Sequence, residues 1–150
     1  AALAVDAGGR REGSTRVSTL VGAGVVAGSA NLANLLDLRP GRTLKASVIA
    51  AAPLVLARDE GTSTTAAVVL GAAAGLLPDD LAGRSMLGDT GANAAGALVG
   101  TALLGALGLR GRLVALAVLT GLTVVSERVS FTAVIESTPG LRELDRLGRG

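Results

Sequence analysis

The sequence predicts an all-α fold, a polytopic transmembrane helix bundle with about five spans. Three observations predict it. Charged residues make up 17% of the 150-residue chain, where an ordinary soluble domain carries roughly 25%. They are bunched, and charge-free windows lie between the bunches at 17–36, 46–57, 61–78, 90–109 and 113–126. These windows are apolar or small on every side, without the charged stripe at helical period that a soluble bundle turns toward water. Mean hydropathy is +0.56.

Element by element, the polar, Gly-rich stretch 6–16 reads as a loop, and the first span follows at 17–36. Crossing a hydrocarbon core of about 30 Å takes about 20 helical residues, with roughly 17 tolerated. Pro40 and Gly41 are strong stop signals after the first span. The window 46–57 has only 12 residues, between Lys45 and Arg58, and 113–126 has 14, with Arg112 before it and Arg128 following shortly after. Long basic side chains lift their charge to the interface and lengthen such spans by about a turn at each end. The windows 61–78 and 90–109 are long enough unaided, and Pro78 marks the expected end of the third span. The tail 127–150 is amphipathic and charged, either a surface helix or a substrate-reading loop. The chain reads as a single membrane domain, 1–150, and as a fragment of something longer, since it begins without Met or a signal-peptide pattern.

Counting crossings places the loops 37–45, 79–93 and 127–150 on one side of the bilayer. The turns 58–60 and 110–112 fall on the other, with the N-terminal stretch. The motif side carries 8 basic residues (Arg39, Arg42, Lys45, Arg84, Arg128, Arg142, Arg146, Arg149) and the other side 6 (Arg10, Arg11, Arg16, Arg58, Arg110, Arg112). The positive-inside rule therefore predicts a multi-pass protein of the cell membrane with cytoplasmic motif loops.

Composition excludes several chemistries. Without Cys there is no disulfide framework or thiolate metal site, and without His no imidazole acid–base catalyst. The chain has net charge +2, but its basic residues alternate with apolar segments and lack stacking aromatics, which excludes a nucleic-acid partner. The 22 glycines let helix backbones approach closely, with GxxxG spacing at Gly24/Gly28 and Gly96/Gly100.

Two constellations carry the chemistry. Asn31, Asn34 and Asp37 recur every three residues, placing two amides and a carboxylate on one helical face. Helix capping and interhelical hydrogen bonding is the bland reading of that spacing. Arg39, Arg42 and Lys45 follow at once and suit phosphate oxygens, or form a solvated basic loop. The second constellation is Gly88-Asp89-Thr90-Gly91-Ala92-Asn93 at the entry of the fourth span. Its glycines admit a ligand to the backbone, a hard carboxylate oxygen suits Mg²⁺, and a helix N-terminus favours phosphate. A simple N-cap would look the same.

Taken together, Asn31…Asn34…Asp37 followed about 50 residues later by Leu87-Gly88-Asp89-Thr90-Gly91 resembles the polyprenyl-phosphate phosphoglycosyltransferases. This is the superfamily of phospho-N-acetylmuramoyl-pentapeptide transferase, whose motifs look like NxxNxxDGxDG and PAKVFMGDTGS. The resemblance covers roughly residues 20–105. It implies a Mg²⁺-dependent enzyme that transfers a phospho-sugar from a UDP-sugar to a polyprenyl phosphate at the cytoplasmic face, in cell-envelope glycan synthesis. On this reading Asp89 and Asp37 are catalytic, and Asp89 is the metal residue. Asn31, Asn34, Asp79, Arg84, Arg39 and Lys45 bind substrate, with Arg84 at the family's basic position and Asp79 where the family often has Asn. The resemblance leaves room for a homodimer.

The sequence also departs from the family pattern. Leu38 and Pro40 stand where the family has Gly and Asp, and the His-rich loop of the muramyl-pentapeptide enzymes is absent. The family's paired Asp lies upstream of the Asn motif and is not in this chain. Two other functions stay open: a non-catalytic membrane scaffold or partner, and a small-solute transporter. The second would predict charges near mid-span, whereas these sit at span ends.

Overall fold

A computed structural model describes residues 15–148, and its regular structure is helical. Among the described residues the order is α1 (Thr15–Leu36), α2 (Arg42–Ala51), a 3₁₀ turn (Ala52–Leu56), α3 (Glu60–Leu81), α4 (Gly88–Ala106), α5 (Leu109–Ser126), α6 (Phe131–Ser137) and α7 (Pro139–Arg146). Most of the predicted loop 6–16, with Arg10, Arg11 and, at the other end, Arg149, lies outside the described residues. Thr15 and Arg16 already belong to α1.

Local chemistry explains the boundaries. Gly41 sits at φ 75, a left-handed conformation that stops the chain between α1 and α2. Pro53 has no N–H to donate, and α2 gives way at that point to the tighter 3₁₀ turn. Asp59 caps α3, its Oδ2 accepting from the Thr62 backbone N–H at 2.8 Å and the Thr62 hydroxyl at 2.7 Å. Pro78 does not end α3 as the sequence predicts; the helix runs on to Leu81.

Among the described residues, three helices are long and apolar enough to cross a membrane: α1 from Arg16 to Leu36, α3, and α5. The expectation of about five spans is met only at this coarser level. Helix α2 has 10 residues, about 15 Å of rise. Helix α4 carries Asp89 and Asn93 near its start and is rich in small residues. Helix α5 gains from tertiary structure: Arg110 and Arg112 enter its first turn, so a 14-residue window becomes an 18-residue helix.

Contacts between helix ends set the directions. The start of α2 meets the end of α3, where the Gly41 N–H donates to Asp80 Oδ2 at 2.7 Å. Gly105, near the end of α4, lies against Thr62 in the first turn of α3. Gly96 and Gly100 bring α4 antiparallel onto α1: a Cβ on Gly96 would meet Ala33 Cβ at 2.7 Å and Ala30 Cα at 2.8 Å. On α1, Gly24 and Gly28 receive Leu116 and Leu119 of α5, so α5 runs parallel to α1. Both GxxxG spacings are therefore packing surfaces, one for each neighbour of α1.

The result is an alternating bundle. The C-terminal ends of α1, α3 and α5 and the N-terminal ends of α2 and α4 share one face, where the loops 37–41 and 82–87 and the α6–α7 hairpin gather. The turns 57–59 and 107–108 lie at the opposite end.

Helix α4 is the centre. One buried cluster joins Ala51, Ala66, Val69, Val99 and Ala102 across α2, α3 and α4; another joins Val25, Leu104 and Leu119 across α1, α4 and α5. Small residues fill the inside, while large apolar side chains such as Leu20, Val68, Leu76, Val114 and Val118 point outward. In water such a periphery is unfavourable, at about 25 cal/mol per Å² of apolar surface left exposed; hydrocarbon is the solvent it fits. At the end away from the motif loops, buried Arg112 closes the C-terminus of α4. Its guanidinium donates to the Leu104 and Leu107 carbonyls at 2.9 and 3.1 Å and to Ser18 Oγ at 2.9 Å. A cation is favoured there by the orphan carbonyls and the helix dipole.

Candidate functional site

Three acidic residues from separate segments lie on the motif face. Asp37 follows the last turn of α1, Asp80 lies in the last turn of α3, and Asp89 lies in the first turn of α4. The Asp37 carboxylate has Thr43 and the Gly88 backbone N–H beside it, and it lies within electrostatic reach of both Asp80 and Asp89. Its pKa is pushed above the ordinary 3.8. Burial is the main cause, Thr43 opposes it, and the Asp80 charge, offset in part by the Gly88 N–H, and the Asp89 charge add to the rise. Thr43 is itself fully buried, and its hydroxyl donates to the Ala33 carbonyl at 3.1 Å.

Asp80 is 2% exposed. Its Oδ2 takes the Gly41 N–H, while its Oδ1 is buried and has no donor. Asn34, one turn before Asp37 on the same face, also has a buried Oδ1 without a donor. Asp80 Oδ1 and Asn34 Oδ1 are thus buried acceptors without donors. Asp89 is exposed at the mouth of the cluster, and Gly88 (φ 63) turns the chain into α4 with open space around its Cα. Among the described residues no three acidic side chains converge tightly enough to cage a metal by themselves.

The remaining predicted site residues go elsewhere. Asn31 is exposed and donates to Thr123 Oγ1 of α5 at 3.1 Å, a helix-to-helix bond. Asp79 and Arg84 pair with each other on the surface. Arg39 pairs with Glu136 at 2.6 Å. Lys45 Nζ donates to the Leu144 and Asp145 carbonyls at 3.1 and 2.7 Å, at the end of α7. Arg42 is engaged by Asp145 and by Thr132 Oγ1. The basic loop is thus held by the tail, which forms a helical hairpin rather than an open loop.

Sequence reading missed Asp80 and Thr43. The only signal for Asp80 was its place next to Asp79, and a rotation of about 100° per residue sends one to the interior and the other to the surface.

Comparison of the chain with protein-family models, curated proteins and solved structures returns no match.

Proposed function

We propose that this chain is the membrane-embedded part of a phospho-sugar transferase that moves a sugar phosphate from a UDP-sugar to a polyprenyl phosphate. The placement of Asp37 and Asp89 on one face, near enough at the N-terminus of α4 to sense each other's charge although about 50 residues apart in sequence, carries the proposal. Alternating helix directions support five crossings, with α2 plus its 3₁₀ turn and α4 as the two that length and hydropathy leave out. The motif face would be cytoplasmic.

In the reaction an oxygen of the polyprenyl phosphate attacks the β-phosphorus of the UDP-sugar. The bond from that phosphorus to the bridging oxygen breaks, and UMP leaves. The donor set, hard carboxylate oxygens and an amide carbonyl at helix ends, fits Mg²⁺, with Asp89 and Asp37 as the residues to hold it. The ion would offset diphosphate charge during displacement. The first-turn amides of α4 would face the phosphates, Asn34 would orient the nucleotide side, and the apolar periphery would keep the lipid acceptor alongside.

A second reading has its own observation: Arg39, Arg42 and Lys45 are all engaged by the tail, as in a scaffold that has lost substrate contacts. One assay separates the two. The full-length protein, with undecaprenyl phosphate and a panel of UDP-sugars, should release UMP only with Mg²⁺, and Asp89→Asn should lower the rate at least 100-fold, as removal of a principal charge-stabilising group does. No release from wild type, or full rate in Asp89→Asn, sinks the transferase reading.

A further inference from the structure

The C-terminal hairpin α6–α7 is fastened to the bundle by charge more than by apolar burial. Of residues 127–148, only Asp145 is buried. Between the hairpin and the α1–α2 corner the apolar side chains do not close up. Leu36 and Ile49 on one wall, and Ile135, Leu141 and Leu144 on the other, leave a cleft of about 150 Å³. The attachments run instead from three cations spaced three residues apart on the first motif loop and α2. Arg39 Nη2 donates to Glu136 Oε1 at 2.6 Å. Arg42 donates to both Asp145 carboxylate oxygens at 2.8 and 3.1 Å, and to Thr132 Oγ1 at 3.1 Å. Lys45 Nζ donates to the Leu144 and Asp145 carbonyls at 3.1 and 2.7 Å, where the negative end of the α7 dipole adds to the attraction. In each of these bonds a basic side chain of the bundle takes an oxygen of the tail.

Two carboxylates and two backbone carbonyls thus stand on donors that suit phosphate equally well. A guanidinium grips carboxylate and phosphate in the same two-pronged way, and an ammonium takes either as a point charge. A phosphate monoester brings nearly two negative charges and three acceptor oxygens to one place, which no single tail group matches. The Arg39–Glu136 pair is the weak point, since its side chains are 44% and 47% exposed and a pair in water contributes little. We infer that the hairpin is a displaceable internal anion, a latch that sits on Arg39, Arg42 and Lys45 until a phosphate-bearing ligand takes those donors. The ligand is a phosphate monoester or diphosphate, supplied either as a free ion or as a lipid headgroup. Closed tail and bound phosphate exclude each other, because both need the same N–H groups. The coupling is reciprocal: phosphate opens the tail, and a weakened tail raises phosphate affinity. The latch needs no transfer chemistry to operate. Under it, the tail's hold on the basic residues is regulation rather than the loss of substrate contacts.

The tail's position is read by pulsed electron paramagnetic resonance on full-length protein in phosphatidylcholine nanodiscs. Spin labels go on Gly140→Cys, where an added Cβ meets nothing within 4 Å, and on the exposed Ser85→Cys, with any other cysteine replaced by Ser. Without added phosphate the label distance should be single and narrow. Pyrophosphate, phosphatidic acid built into the nanodisc, or both should add a longer, broader population, and the responding arm names the source. Response in neither arm overturns the latch. So does equal opening by sodium chloride at the same ionic strength, which would be screening alone. Glu136→Gln with Asp145→Asn should show the longer population without any phosphate, and a double variant that stays closed is the contrary result. If it does not fold, Glu136→Gln alone decides: half-opening should need severalfold less of the responding phosphate, and an unchanged requirement overturns the latch. UMP release plays no part in these readouts, so opening without transfer counts against the transferase reading and leaves the latch standing.

Discussion

Arg42 and Asp145 form a two-pronged ion pair, Nε to Oδ1 at 2.8 Å and Nη2 to Oδ2 at 3.1 Å, with side chains 5% and 8% exposed. It joins the first turn of α2 to the last turn of α7 and so fixes the tail on the motif face. Removing one partner strands a buried charge. Arg42→Ala or Asp145→Ala should each lower unfolding free energy by about 3–5 kcal/mol. The double change Arg42→Met with Asp145→Leu should cost clearly less than the two singles summed, measured by denaturation in detergent. Additive losses would show that the pair has no coupling.

Gly96 and Gly71 make opposite predictions for the same substitution. Ala is favoured over Gly inside a helix by about 1 kcal/mol, and a Cβ on Gly71 meets nothing within 4 Å. Gly71→Ala should therefore leave stability unchanged or raise it. On Gly96 the Cβ runs into the backbone of α1 at Ser29 and Ala30. Gly96→Ala should destabilise by about 1–3 kcal/mol as α1 and α4 are pushed apart. Thermal unfolding of the two variants side by side tests the close approach.

The Asp59 cap predicts a pH effect. The Thr62 hydroxyl and then the Thr62 N–H hold the Asp59 carboxyl below its ordinary 3.8, outweighing a small opposing effect of burial. A carboxyl with a depressed folded pKa adds stability above its unfolded value and loses it as pH falls through the folded one. Wild type should therefore exceed Asp59→Ala in Tm at pH 5 to 7 and converge with it below the ordinary value of 3.8. A gap that persists in acid would mean that the cap does not act through the charge.

At Gly41, φ 75 is strained for any residue with a Cβ. Gly41→Ala should cost about 1–2 kcal/mol from the left-handed backbone alone. It would also displace the Leu81 side chain beside it, loosening the Gly41–Asp80 bond. The expected readout is a lower Tm in thermal unfolding, and an unchanged Tm would show that the left-handed turn carries no strain.

Legibility in the sequence followed the range of the interaction. Asp37 and Asp89 were readable because their neighbours, the i, i+3 amides and the flanking glycines, are local. Asn31 shared that local pattern with Asn34, yet its amide turns to Thr123 on α5, 92 residues away. The basic trio was readable as a charged loop, but its acceptors Glu136, Leu144 and Asp145 lie about 100 residues downstream and carry no periodic signal. The first-turn arginines of α5 hid part of an 18-residue helix, because Arg112 is buried only once the end of α4 presents carbonyls to it.

By itself, the amino-acid sequence determined the helical class, the apolar segments and the gathering of polar loops at one end. Those follow from hydropathy, Pro and Gly placement and the parity of successive segments, which are all local or additive. Only the tertiary structure decided that α4 is the centre, that Asp80 rather than Asp79 joins Asp37, and that the tail holds the basic loop. Each of these depends on which side of a helix meets its neighbour. That choice is made by shape: Gly96 and Gly100 let α1 come close to α4.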